Sequence, residues 1–159
     1  MTKKVAITYP LIFENIKEYF SGKDVEIILT DNKVSYSDYD LIVLYDEYDK
    51  VNSSNNIINI HPSILPAYKE NNAIIKAFNE GVKVSGVTIH SKNKIIAQYP
   101  VLIGTGTHID DFMNELLAIE KKLVPIVIDA ILNDKVFDFS DLFSHSCRIG
   151  ECSGCGRCH

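Results

Sequence analysis

NIHPSILPAYKENNAIIKAFNEGVKVSGVTIH, residues 59 to 90, changes its pattern three times. It opens at the end of NIINI (56–60), an apolar run of the length and composition of a strand buried on both faces. Pro62 and Pro66 stiffen the loop that follows. Asn71 or Asn72 is then placed to cap a short helix over 71–80, and Gly81 to stop it. VSGVTIH (84–90) returns to a strand. Asn59 and His61 stand two apart on extended chain, so both side chains point to the same side. Such a pair can act on a polarised carbonyl, the amide donating to a developing oxyanion and the imidazole donating or shuttling a proton. Taken without their surroundings, the same two residues are a strand-end Asn and a hydrogen-bonded loop His.

Outward from this stretch the chain alternates strand and helix. Upstream lie a first strand KVAITY (3–8), a helix LIFENIKEYF (11–20) ended by Ser21-Gly22, and strands VEIILT (25–30) and DLIVLY (40–45). Apolar strands alternating with helices predict a parallel sheet covered by helices, with ligands held beyond the carboxyl ends of the strands. Downstream, IIAQYPVLI (95–103) follows residues 84–90 across only Ser91-Lys92-Asn93-Lys94, which predicts an antiparallel hairpin. A long helix is expected from about Ile109 to Leu132, bent or restarted at Pro125. The expected boundary near residue 140 separates an α/β domain, 1–140, from a cysteine-rich tail, 141–159.

At 159 residues and 46% apolar content the chain fits one domain with a sizeable core. The formal net charge is −5 and no basic patch appears, which argues against a general nucleic-acid binder and for a small-molecule ligand or a protein partner. The apolar run of MTKKVAITYP is too short for a signal peptide, and no stretch approaches the ~20 apolar residues of a membrane helix. A cytoplasmic protein without membrane contact is expected.

The four cysteines fall together in SCRIGECSGCGRCH: Cys147, Cys152, Cys155 and Cys158, in the spacing Cys-x4-Cys-x2-Cys-x2-Cys. Disulfides that staple a fold would be spread through it. Thiolates this close repel unless a cation holds them. A structural zinc usually takes two separated Cys-x2-Cys knuckles, whereas overlapping ones suit an iron–sulfur cluster, so both metals remain open. The alternative is a reactive tail that forms disulfides. His145 and His159 are alternative ligands. His90 is expected on a strand facing the pocket, and His108 has no assigned partner.

The order Asn-x-His-Pro-Ser-x-Leu-Pro from Asn59, a helix ending at Gly81, Gly86-Val87-Thr88-x-His90, Ile96-x-Gln98, and Glu120 followed by Pro125 resembles the folate-dependent formyltransferase family over roughly residues 38 to 132. The resemblance implies a Rossmann-like formyltransferase fold, a mostly parallel sheet with helices on both faces and a C-terminal antiparallel hairpin. It also implies 10-formyltetrahydrofolate as donor, with Asn59 and His61 at the positions of the family's catalytic Asn and His. Three departures stand against it. The family's catalytic Asp belongs to a loop that has here shrunk to Ser91-Lys92-Asn93-Lys94. The glycine-rich phosphate loop is replaced by Tyr9-Pro10-Leu11-Ile12, and a His of the short helix by Asn72. Glycinamide ribonucleotide is therefore not the expected substrate. Two readings remain: a formyl-transferring or formyl-hydrolysing enzyme of one-carbon metabolism, or a catalytically degenerate relative whose metal or iron–sulfur tail serves redox chemistry or interaction.

Overall fold

The computed structural model describes residues 1–31, 33, 35–92 and 94–135. Six strands form one sheet in the order β2-β1-β3-β4-β5-β6. They are β1 (Lys3–Ile7), β2 (Val25–Leu29), β3 (Leu41–Tyr45), β4 (Ile57–His61), β5 (Val84–Ser91) and β6 (Lys94–Leu102). β1 to β4 run parallel, and β5 is antiparallel to both β4 and β6. The helices are α1 (Pro10–Tyr19), α2 (Ala73–Asn79) and α3 (Ile109–Leu132). This is the expected mostly parallel sheet with a C-terminal hairpin, and each strand falls where its apolar run predicts.

Two details differ in their cause from the sequence expectation. Asn72 stands at the N-cap of α2 but makes no side-chain cap bond; it instead takes a left-handed backbone, φ 65°, a conformation Asn tolerates better than most residues. α3 is continuous through Pro125, which is buried within it, rather than restarting there.

The pleat sorts side chains by parity. On one face Val5, Ile7, Leu41, Val43, Ile58, Ile60, Val87 and Ile89 pack against Ile12 and Ile16 of α1 and Phe112, Leu123 and Val127 of α3. Each such side chain, fully buried, contributes roughly 1.5–3 kcal/mol. On the other face Ala6, Ile42, Leu44 and Ile57 form a smaller cluster with Val51, Tyr36 and Tyr39. Those last three come from short 3-10 turns, Tyr36–Asp38 and Lys50–Ser53, or from the residue just after one. Helical segments thus cover both faces, α-helices one and 3-10 turns the other. No helix among the described residues is long and apolar enough to cross a membrane. The boundary near residue 140, the four cysteines, His145 and His159 lie outside the described residues.

Candidate active site

The smaller face turns polar at the carboxyl ends of the parallel strands. Leu44 pairs with Asn59 across β3–β4, and Asn59 and His61 pair with His90 and Thr88 across β4–β5. Thr88 pairs with Gln98 across β5–β6. Register and the period of two therefore align Asp46, Asn59, His61, Thr88, His90 and Gln98 on one side of the sheet.

Asn59 and His61 are fully buried. The Asn59 Oδ1 accepts the backbone N–H of Glu47 at 3.0 Å, which makes Nδ2 the donor facing His90 Nε2 at 3.0 Å. His90 Nε2 must then accept, and its ring proton sits on Nδ1, 3.4 Å from the Ser91 carbonyl. Burial holds the His90 pKa below its ordinary value, with the Ser91 bond opposing and nearby His61 adding to the fall. A neutral His90 is the form this bond needs.

His61 Nε2 lies 2.6 Å from the Tyr68 carbonyl, which only accepts, so Nε2 carries a proton. His61 Nδ1 lies 3.4 Å from the Oδ1 of Asp46. Asp46 follows β3 with φ 51°, and its N–H bonds the Ile60 carbonyl at 2.9 Å, which carries the sheet pairing one residue further. Burial raises its carboxyl pKa, while the His61 charge and the Asn72 backbone N–H pull it down and Glu47 adds to the rise.

The remaining members of the row hold the loop after β4. The Thr88 hydroxyl donates to the Ser63 carbonyl at 2.7 Å and accepts from the Leu65 N–H and the Gln98 amide, both at 3.1 Å. Gln98 also donates to the Leu65 carbonyl at 2.9 Å, and the Leu65–Pro66 peptide is cis. Beside this loop lies a cavity of about 480 Å³ lined by Tyr48, Leu65, Pro66, Lys69, His90 and Lys94, among others. His90 lines it, with Asn59 bonded behind; the buried His61 is reached past the Tyr68 carbonyl. Tyr48 stands 5.1 Å from the His90 ring and 6.0 Å from the His61 ring, centroid to centroid.

The opposite face carries a second polar group. Tyr9 stacks on Tyr45 at 3.8 Å and 14°, next to Glu120 of α3, which is 1% exposed. Burial pushes the Glu120 carboxyl up to about 8, with the Tyr9 hydroxyl opposing. Burial first, and the Glu120 charge second, raise the hydroxyls of Tyr9 and Tyr45 as well. Pro10 opens α1 without a side-chain cap at Tyr9. His108 occupies the N-cap of α3, also without a side-chain cap bond. Of the hairpin turn, Ser91, Lys92 and Lys94 supply no carboxylate, and Asn93 lies outside the described residues. The carboxylate beside His61 is Asp46, which sequence reasoning missed; it stands one residue past β3 with the parity of Leu44. No group of three or more His, Cys, Asp or Glu among the described residues could hold a metal.

Residues 50–128 match the formyl transferase family. The phosphoribosylglycinamide formyltransferase of Bacillus subtilis is 38% identical over 82 residues, 48% of this chain and 42% of that protein. The formyltetrahydrofolate deformylase of Haemophilus influenzae is 30% identical over 93 residues, 55% of this chain and 34% of that protein. The matches thus span less than half the length of these curated relatives. Among solved structures, phosphoribosylglycinamide formyltransferase from Anaplasma phagocytophilum superposes with a TM-score of 0.67 at 22% identity, covering 84% of this chain and 88% of that one. A formyltetrahydrofolate deformylase from Pseudomonas syringae does so at 0.68 and 18%, covering 87% and 67%. With that sheet order, that matched stretch and the Asn59–His61 pair at the end of β4, the chain belongs to the folate-dependent formyltransferase family.

Proposed function

We propose that this chain is a cytoplasmic enzyme that takes the formyl group from 10-formyltetrahydrofolate, with Asn59 and His61 acting at the formyl carbonyl. The observation that carries the reading is the buried Asn59–His90 and His61 row at the carboxyl ends of the parallel strands, beside a cavity of about 480 Å³. Asn59 spends one amide hydrogen on His90 and keeps the second for an oxyanion. Attack on the formyl carbon gives a tetrahedral intermediate. Its C–N bond breaks as the folate nitrogen takes a proton from His61, and the formyl group leaves on the attacking oxygen or nitrogen.

Water is the acceptor that this site fits best. Where a phosphate would need backbone N–H groups, the chain has Pro10, and the adjacent Glu120 becomes an anion above about pH 8. Both features disfavour a phosphate-bearing amine. The test is binding of 10-formyltetrahydrofolate to the whole chain by calorimetry. Asn59→Ala and His61→Ala should each weaken it by about tenfold, about 1.4 kcal/mol. Unchanged affinity in both variants would make the pocket a relic.

A second proposal concerns the tail. The overlapping Cys-x2-Cys-x2-Cys spacing supports an iron–sulfur cluster or a zinc ion held by Cys147, Cys152, Cys155 and Cys158. Iron, sulfide and zinc analysis of protein purified without oxygen decides between them, and metal-free protein with disulfides in the tail would refute both. Bound metal together with no folate binding would favour the degenerate relative over the enzyme.

A further inference from the structure

His61 has two ring nitrogens and only one conventional hydrogen bond. Nε2 donates to the Tyr68 carbonyl at 2.6 Å. Nδ1 and Asp46 Oδ1 face one another at 3.4 Å, both are buried, and neither has another hydrogen-bond partner in the structure. If the ring were neutral and Asp46 ionised, two acceptors would point at each other inside the protein, an arrangement with an unmet desolvation cost on both sides. One further proton between them removes that conflict, whether it resides on Nδ1 or on the carboxyl.

The backbone brings Asp46 there by construction. β3 and β4 are parallel with Leu44 opposite Asn59, and the Asp46 N–H extends the ladder to Ile60. The left-handed backbone at Asp46 is one that Asp and Asn adopt more readily than other non-glycine residues. The other groups that face the pair are Tyr48 after β3, His90 on β5, Glu70 ahead of α2 and Glu47 beside Asp46.

We propose that Asp46 is the positioning residue of His61: it holds a shared proton at Nδ1 and so keeps the Nε2 proton for the reacting group. The catalytic half of this rests on the formyl-release reading; the shared proton does not. When the Nε2 proton passes to the leaving folate nitrogen, the ring is left neutral with Nδ1–H donating to the Asp46 carboxylate. The proton lost by the attacking water then restores Nε2–H. In this chain Asp46 supplies from the end of β3 the carboxylate that the short turn Ser91–Lys94 lacks among its described residues.

The test uses the whole chain labelled with nitrogen-15 histidine, as the parent, Asp46→Asn and Asp46→Glu. Asn keeps the left-handed backbone, so Asp46→Asn should fold. In the parent, the His61 ring nitrogens should report the shared proton at Nδ1 across neutral pH; Asp46→Asn should lose it and Asp46→Glu retain it. The rate of formyl release from 10-formyltetrahydrofolate should fall about 100-fold in Asp46→Asn with KM within about threefold, and recover at least tenfold in Asp46→Glu. Identical His61 ring resonances in the parent and Asp46→Asn would overturn the proposal, whatever the rates. The expected resonances with no formyl release by the parent would uphold the Asp46 assignment and refute the enzymatic reading.

Discussion

Thr88 shows how much a single hydroxyl carries in this site: one donated and two accepted hydrogen bonds join β5, β6 and the loop after His61. Thr88→Val keeps the shape and leaves the Leu65 N–H and the Ser63 carbonyl unpaired, so it should destabilise the fold by roughly 1–3 kcal/mol. Denaturant unfolding measures this, and no loss would mean that the clamp is dispensable. Glu120 gives a prediction with a pH sign. Its folded pKa, about 8, stands above that of an ordinary carboxyl, so between about pH 4.5 and 8 the folded state holds a proton that the unfolded state has released. Stability therefore falls as pH rises through that window, by up to about 1.4 kcal/mol per pH unit from this group. Glu120→Gln should flatten the slope and raise stability at pH 8 relative to the parent. Parallel stability–pH curves for the two proteins would show that Glu120 is not the buried acid described.

At the scale of elements, Gly86 has a packing reason. A Cβ built there would lie 2.1 Å from the Tyr99 carbonyl oxygen and 2.7 Å from Ile64 Cδ1. Gly86→Ala should thus pry β5 from β6 or from the loop after β4 and cost about 1–3 kcal/mol, read as a lowered Tm. An unchanged Tm would mean that the hairpin absorbs a methyl group freely. The same elements mark what sequence can disclose. β3 and β4 were legible because LIVLY and IINI are apolar runs with β-branched residues, and the hairpin because only four residues part its strands. Asn59 and His61 were legible because they share one strand and one parity. Asp46 was not, because its meeting with His61 depends on the parallel register of two strands joined by an eleven-residue connection, 46–56. The left-handed turn of Asn72 was hidden for a similar reason: an Asn before a helix reads as a side-chain cap, and only the backbone distinguishes the two.

For the whole molecule, the separation of cysteines from the core has a consequence. The apolar clusters are built from residues 5 to 132, and every cysteine lies between 147 and 158. Cys152→Ser and Cys155→Ser should each abolish metal binding and leave the Tm of the α/β body within a few degrees of the parent. Collapse of the body on metal removal would show that the tail is part of the fold. The central question is still whether the row from Asp46 to Gln98 does chemistry, and one rate answers it most directly: release of formate from 10-formyltetrahydrofolate by the whole chain, its Asn59→Ala variant and its His61→Ala variant. Turnover by the parent that falls at least about 100-fold in both variants is the expected result. Formate released no faster by the parent than by the two variants would contradict it.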